Sequence, residues 1–543
     1  MQSIRQYQKI KAQVRDICLN TDLASLEKSI DTDLSTPVDE EEKLSSTSPS
    51  PSQIPGVQVR NVVGSDGQKE HVFIVGWDGD IDPVRPQNWT PTRRWVATTM
   101  LCLISMMGAA ASSIDAAVEP QSTEAFHVKD EVGTLTTGCY LFGFAVGSLV
   151  AGSFSETFGR NIVYVVSGAI FMIFIMAKAL APNFGTAIAF RFLAAFFGST
   201  PLTCAGGSIA DIWTPLEATF SLPVMMIIAY AGPMLGPVIS AYMGESSVIN
   251  WRWADWIMLI YAGLIMGLVF LFQPETYEPL LLSWKAEHFR KITGDNRFKT
   301  EAEATESSSL WTRLRTSIYR PFLFTYTEPI IMLFTFYLII IYIVLFTFMS
   351  GYPFIFQEVY GISQGLTNIL WVAQIVGDLF ALFLVPLLYS WTKKEYQKAT
   401  AEGKSLKPEV CLYYSMMGGS IFLPVSLFWM GWTCYPDISI WSPIIGSAFF
   451  GYGLITVFTS IYLYIIFVYQ TYAASALSFM TFGRYMASGA MAVGAIPMYR
   501  NLGPHYALTI LACIAAVMAP VPFLLYRYGH VIRRMSKRAQ NKD

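Results

Sequence analysis

Residues 147–160 read Gly147-Ser-Leu-Val-Ala-Gly152-Ser-Phe-Ser-Glu156-Thr-Phe-Gly159-Arg160 and join two long apolar segments. Gly147 and Gly152 leave one segment smooth enough for a neighbouring helix to pack closely. Glu156 and Arg160 are four residues apart, a spacing at which helical side chains face each other as an ion pair. Gly159 permits a tight turn before the next apolar segment begins. An ordinary charged interhelical loop reads the same way when taken alone, so the rest of the chain has to separate the two.

Composition limits the class first. Of the 543 residues, 53% are hydrophobic and 14% are charged, against roughly a quarter charged in a soluble protein. Mean hydropathy is +0.42. This is the composition of a polytopic membrane protein. The net charge of -2 argues against a nucleic-acid partner. The seven cysteines show no paired spacing; most sit in or beside apolar segments as small packing residues, and no structural disulfide is expected. The first 90 residues hold no apolar run of the signal-peptide kind.

In chain order, residues 1–90 are polar. The run Asp39-Glu40-Glu41-Glu42-Lys43, followed by Ser-Thr-Ser-Pro-Ser-Pro-Ser, cannot bury a core, so 1–90 is expected to be a disordered cytoplasmic tail. Twelve apolar segments follow, each near the roughly 20 residues that cross a bilayer: 95–117, 132–152, 161–181, 186–210, 217–242, 253–273, 329–350, 366–389, 411–432, 441–464, 473–497 and 505–526. Residues 91–273 form one six-helix bundle and 329–527 a second. Residues 274–328 are a polar linker, and 528–543 a C-terminal tail. The linker carries Lys285, Arg290, Lys291, Arg297, Lys299, Arg313, Arg315 and Arg320. The loop after the eighth segment and the C-terminal tail are also basic, whereas the opposite loops offer Lys129, Arg252 and Arg500. By the positive-inside rule the linker and both termini are cytoplasmic.

The 147–160 stretch resembles the G-x-x-x-D-x-x-G-R loop signature of the major facilitator superfamily, with Glu156 where the family usually has Asp. Five further stretches resemble the fungal twelve-span drug:proton antiporter branch: Asp82-Pro83-Val84-Arg85-Pro86-Gln87-Asn88-Trp89, Trp251-Arg252-Trp253, Pro274-Glu275-Thr276-Tyr277-Glu278-Pro279, Arg320-Pro321-Phe322, and Tyr472-Ala473-Ala474-Ser475-Ala476-Leu477 through Arg484. Pro522-Phe523 and Tyr526-Arg527-Tyr528-Gly529 resemble the ending of the same branch, and together the matches cover about residues 80 to 538. The resemblance implies an all-α membrane protein of twelve transmembrane helices in two six-helix bundles, the major facilitator fold. It also implies transport driven by a proton gradient, with no other cofactor.

Site candidates follow in part from the resemblance. Arg191 in the fourth segment resembles the family's R-x-x-x-G signature, whose arginine is tied to proton coupling. A cation inside a membrane faces water or an anionic partner. Asp115, near the outer end of the first segment, and Asp378, deep in the eighth, are the intramembrane carboxylates able to carry a proton. Asp115 also reads as a mouth residue in bulk water, and Asp378 as a partner of Arg484 or of a backbone donor. Gly152, Glu156, Gly159, Arg160 and Asp211 form a candidate conformational gate at the cytoplasmic end. Gly232-Pro233-Met-Leu-Gly236-Pro237 resembles the antiporter signature of the fifth span, an element associated with exporters. Its glycines allow close helix contact and its prolines kink the span. Phe336, Tyr337, Tyr452 and Arg484 are candidates for lining a cavity between the bundles, although for any one ring packing is the commoner role.

These features predict a proton-coupled exporter of small organic molecules, such as a toxic secondary metabolite or drug. The substrate and the lipid bilayer are its partners, the chain is a monomer, and the cell membrane is its location, with the vacuolar membrane as the alternative. An uptake permease or polyamine carrier shares the fold, and a non-transporting nutrient sensor is a third reading. Enzyme readings fail. Gly403-Lys404-Ser405 ends like a P-loop, but Lys398 stands where the first glycine is needed. The five histidines lie in loops, tails or at span edges, so no catalytic residue or metal ligand is expected.

Overall fold

The computed structural model describes residues 1–20, 50–51, 54–63, 69–79, 82–305, 319, 328–404, 406–469 and 473–536. The acidic run Asp39–Lys43, the linker residues Arg313, Arg315 and Arg320-Pro321-Phe322, Ser405, Tyr472 and the last basic residues Lys537, Arg538 and Lys542 lie outside them.

Helix α1 covers Gln2–Asn20. The apolar helices of the first half are α2 Pro91–Ala125, α3 Leu135–Phe158, α4 Arg160–Ala179, α5 Phe184–Ile212, α6 Pro215–Ile239 and α7 Trp253–Phe272. The linker contributes α8, Glu278–Thr293. The second half holds α9 Pro329–Val359, α10 Gln364–Ala401, α11 Pro408–Thr433, α12 Trp441–Tyr469 and α13 Ser475–Met535. Eleven of these are long and apolar enough to cross a bilayer. The last, α13, is 61 residues long and takes in both of the last two apolar segments. It breaks between them at Gly503, where φ is +74° and Pro504 follows.

Local sequence sets where these helices begin. Thr214 and Glu217 close a capping box around the Pro215 start of α6, satisfying orphan N–H groups in both directions. Glu217 also takes a two-pronged ion pair from Arg94, at 2.8 and 3.1 Å, which ties α6 to the start of α2. Asn183 caps α5 by accepting from Thr186 N at 2.9 Å.

The first residue and the last described residue, Ser536, lie beside the two ends of the linker. The Met1 amino group donates to Phe270 O at 2.5 Å. At the other terminus, Ser536 Oγ donates to Glu328 Oε2, and Tyr469 OH reaches the same oxygen at 3.1 Å. We call this the linker end and the opposite one the far end. The two halves touch at both. At the far end Gln121 Nε2 donates to Gln364 Oε1 at 3.0 Å, and Gly365 N to Glu245 Oε1 at 2.8 Å. Towards the linker end Tyr414 OH donates to Thr219 O at 3.3 Å.

The expectation that 1–90 buries no core is corrected by the described parts of that segment. Strands β1 Ser50–Pro51, β2 Val57–Val63 and β3 Lys69–Val75 form a sheet with β4 Phe298–Lys299 of the linker. Strands β2 and β3 are antiparallel, with Val57 opposite Val75; β3 and β4 are parallel, with Phe73 opposite Phe298. Ile10 and Val14 of α1 join Val57, Phe73, Leu281 and Phe289 in one apolar cluster. The physical reason is shared burial: each piece carries one apolar face, too small to fold alone, and the linker supplies the complement. Lys285 of α8 lies 3.5 Å from Asp82 with both side chains buried. Burial draws the Lys285 ammonium below its ordinary range, against the opposing pull of Asp82. The C-terminal tail is likewise docked in part: α13 runs on to Met535, and buried Arg533 pairs with Glu409.

Candidate functional site

Three groups of candidate residues separate along the membrane axis. At the far end of the first half, four buried charges from four helices meet. Lys178 at the end of α4 places Nζ 2.8 Å from both Asp115 oxygens and 2.6 Å from Asp255 Oδ1. Arg191 of α5 puts Nε 3.0 Å from Asp115 Oδ2. Its Nη2 donates to Ala111 O at 2.6 Å, and its guanidinium lies over the Tyr140 ring at 4.4 Å. Asp115 belongs to α2 and Asp255 to the first turn of α7. All four are under a tenth exposed. The reading of Asp115 as a mouth residue in bulk water is therefore corrected: the last turns of α2 tuck under α4 and α7 and carry it inside. Two carboxylates and two cations cancel in charge, which is how such a cluster persists in a medium that penalises lone charges.

Sequence reasoning found Asp115 and Arg191 but missed Lys178 and passed Asp255 by as part of the Trp-rich entry to α7. Lys178 carried a usable signal, since a lone ammonium within an apolar run requires an anion nearby.

The second group lies at the linker end. Gly159 takes φ +93° and ends α3 at Phe158. Arg160 makes an ion pair with Asp211 at 3.2 Å, and the carboxylate of Glu156 also acts on its guanidinium. Arg160 Nη1 also donates to Ser155 Oγ at 2.6 Å. Glu275, just past α7, caps the start of α4. Its carboxylate accepts from Arg160 N and Asn161 N at 3.0 Å each, and from Thr276 N and Tyr277 N at 2.9 Å each. Helix α1 closes over it: the Gln6 amide exchanges hydrogen bonds with the Glu275 backbone at 2.7 and 3.1 Å. Burial holds the Glu275 carboxyl above its ordinary range even though four backbone N–H groups act to lower it. Of the gate candidates, Gly152 meets the second half, where an added Cβ would stand 2.8 Å from Ser478 Oγ.

The third group sits where the halves meet in mid-membrane. Arg484 of α13 is fully buried. It donates to Tyr230 OH at 3.2 Å and to Tyr462 OH at 2.8 Å. Tyr230 belongs to the first half, and its hydroxyl shares a 2.7 Å hydrogen bond with that of Tyr342 in the second. The other proposed cavity residues are elsewhere. Phe336 is 63% exposed on the outer face of α9. Tyr452 packs edge-on against Phe422 at 5.0 Å, and Tyr337 is buried within the second half. Helix phase explains this: α9 and α12 are apolar on every side, so composition did not tell their inner rings from their outer ones.

Asp378 is 2% exposed between α10 and α12, and no ion pair joins it to Arg484. One turn earlier, Gln374 is buried with both amide atoms unpartnered among the described residues.

The fifth-span signature packs as its glycines predict. Helix α6 is interrupted at Ala231, ahead of Pro233, and Ser113 Oγ donates to the Pro233 carbonyl. A Cβ on Gly236 would stand 2.6 Å from Ala110 O, and one on Gly232 2.6 Å from Met106 O. Pro237 follows within the same helix. Gly236→Ala is expected to lower stability by about 1–3 kcal/mol through overpacking. Its melting point by fluorescence-detected size exclusion should fall, and an unchanged value would mean that α2 yields freely there.

Two helical halves that meet at a buried arginine, with a charged hub at each end of the first, form a polytopic membrane protein. The chain belongs to the Major Facilitator Superfamily, whose family model matches residues 100–493. It is 47% identical over 488 residues to the MFS-type transporter kojT of Aspergillus flavus, covering 89% of this chain and 86% of that one. It is 32% identical over 478 residues to the MFS-type efflux pump MFS2 of Trichophyton rubrum, covering 88% and 79%. Among solved structures it resembles the proton:xylose symporter XylE of E. coli, with a TM-score of 0.59 at 12% identity over 81% of this chain and 96% of that one. That likeness is one of fold. Family and fold place the chain among transporters, not enzymes.

Proposed function

We propose that the protein is a proton-coupled exporter of small organic molecules. The observation that carries this reading is Lys178 held between Asp115 and Asp255 with Arg191 alongside. Two carboxylates that share one ammonium exchange it when either takes up a proton. A proton arriving from the far end neutralises Asp115 or Asp255 and frees Lys178. The contacts joining α2, α4, α5 and α7 then loosen, and the halves rock about the central site. Asp378 is the corresponding carboxylate of the second half.

In this reading the linker end is cytoplasmic, as the basic loops require, and α13 crosses the membrane twice to give twelve spans. Arg484 and its ring of tyrosines bind the substrate. Outward direction is supported by the Gly232–Pro237 element and by a relative named as an efflux pump. The protein works as a monomer in the cell membrane and needs no cofactor beyond the proton gradient. Its cargo is a toxic secondary metabolite or drug.

The test is accumulation of a diverse panel of azoles, polyphenols, organic acids and polyamines in pump-deficient yeast, with and without the protein. Lower accumulation of some compound, restored by a protonophore, is expected. Higher accumulation would reverse the direction and make the protein a permease.

A further inference from the structure

Among the described residues, Arg160, Arg191, Arg484 and Arg533 are buried; Arg160 pairs with Asp211 and Arg533 with Glu409, and the remaining two differ in one respect. Arg191 has a counter-ion, Asp115 at 3.0 Å. Among the described residues, Arg484 has none. Its Nη atoms are met by the hydroxyls of Tyr230 and Tyr462, and its Nε donates to nothing. Its guanidinium carbon lies 4.7 Å from the centre of the Tyr342 ring, 5.2 Å from Tyr485 and 5.5 Å from Phe458. Ring quadrupoles and phenol dipoles ease the burial of the cation, but they leave its unit charge uncancelled in a medium that strongly favours pairing.

We propose that the missing counter-ion is the cargo: the central site takes aromatic organic monoanions, with the acid group on Arg484 and the ring among the tyrosines. This rests on the proposed role of the site in transport. A guanidinium presents parallel N–H groups that match an oxyanion edge, and the free Nε supplies one of them. Tyr230 and Tyr462 hydroxyls hold positions from which they can donate to the same anion, and the flanking rings offer stacking faces. Access comes from the motion itself. The Tyr230–Tyr342 hydroxyl bridge joins the two halves, so parting them breaks it and bares Arg484. A neutral analogue forfeits the charge-assisted bonds, and a cation meets repulsion.

The experiment uses the purified full-length protein in lipid nanodiscs and three probes of one shape: benzenesulfonate, benzenesulfonamide and phenyltrimethylammonium. Affinity is read from tyrosine and tryptophan fluorescence. Benzenesulfonate should bind at least about tenfold more tightly than either other probe, the scale of a charge-assisted hydrogen bond. Arg484→Gln should erase that preference, and Arg484→Lys should keep part of it. Tyr462→Phe should weaken the anion selectively, and it tests the site even where Arg484→Gln fails to fold. Equal binding of the neutral or cationic probe, an anion preference that survives Arg484→Gln, or no binding of benzenesulfonate would overturn the proposal. Protonophore-sensitive export of neutral or cationic compounds, with no anion preference in the nanodiscs, would sink this inference and leave export intact. An anion preference without proton-driven movement would do the opposite.

Discussion

Lys178→Met is expected to destabilise the protein by about 3–5 kcal/mol and to abolish transport. The magnitude is that of removing one partner from a buried ion pair. The substitution leaves Asp115 and Asp255 facing one another, with Arg191 able to pair with Asp115 alone. The cluster then carries a net negative charge in the membrane interior. Adding Asp255→Asn restores neutrality, leaving one Asp115–Arg191 pair. The double variant should regain most of the lost thermal stability and still fail to move protons, because no carboxylate competes for an ammonium. Thermal midpoints of the three proteins in detergent check the first part, and pH-driven transport in liposomes checks the second. A single variant as stable as wild type would show that the cluster is open to water.

Glu275→Ala has the second large effect. It strips the acceptor from four backbone N–H groups at the start of α4 and in the turn after α7. Each buried donor left without a partner costs about 1–3 kcal/mol, so a total loss of about 3 kcal/mol or more is expected. It should also release α1, which is held to the same turn by Gln6, and proteolysis within the first 20 residues should accelerate. Glu275→Gln keeps an acceptor and loses less. It also exposes a pH signature. Burial raises the folded-state value of this carboxyl above its ordinary 4.5, so between those two values the folded form binds the proton more readily than the unfolded form. Stability from this group therefore rises as pH falls through that window. The gap in melting temperature between wild type and Glu275→Gln should shift in favour of wild type on acidification. A gap independent of pH would mean that the carboxyl titrates alike in both states.

The transmembrane architecture was legible because its signal is one-dimensional. Apolar runs of bilayer length announce helices. The amino-terminal sheet was not, because only part of it is local: the β2–β3 hairpin closes within 57–75, but its remaining complement, Phe298 beside Phe73, lies far along the chain. Site residues follow the same rule. Arg191 and Asp115 stood out as charges in apolar surroundings. Lys178 met that criterion equally well and was overlooked, and Asp255, two residues into the 253–273 segment, was passed over as part of the Trp-rich entry to that span. The Glu156–Arg160 spacing placed two charges that do act on each other, but it could not show that Asp211, 51 residues on, is the partner at 3.2 Å. Phe336 and Tyr452 were misplaced because an aromatic-rich span looks alike on its inner and outer faces, whereas a buried arginine such as Arg484 has fewer places to go.

The central claim is that proton entry drives substrate exit. It is tested most directly with the compound whose accumulation in yeast falls furthest, using the protein reconstituted in liposomes with equal compound on both sides and an imposed pH gradient. The predicted result is net movement of the compound towards the acidic side, reversed when the gradient is reversed and absent in Lys178→Met/Asp255→Asn. Movement towards the alkaline side would make the protein a symporter, and movement indifferent to the gradient would remove the proton from the mechanism.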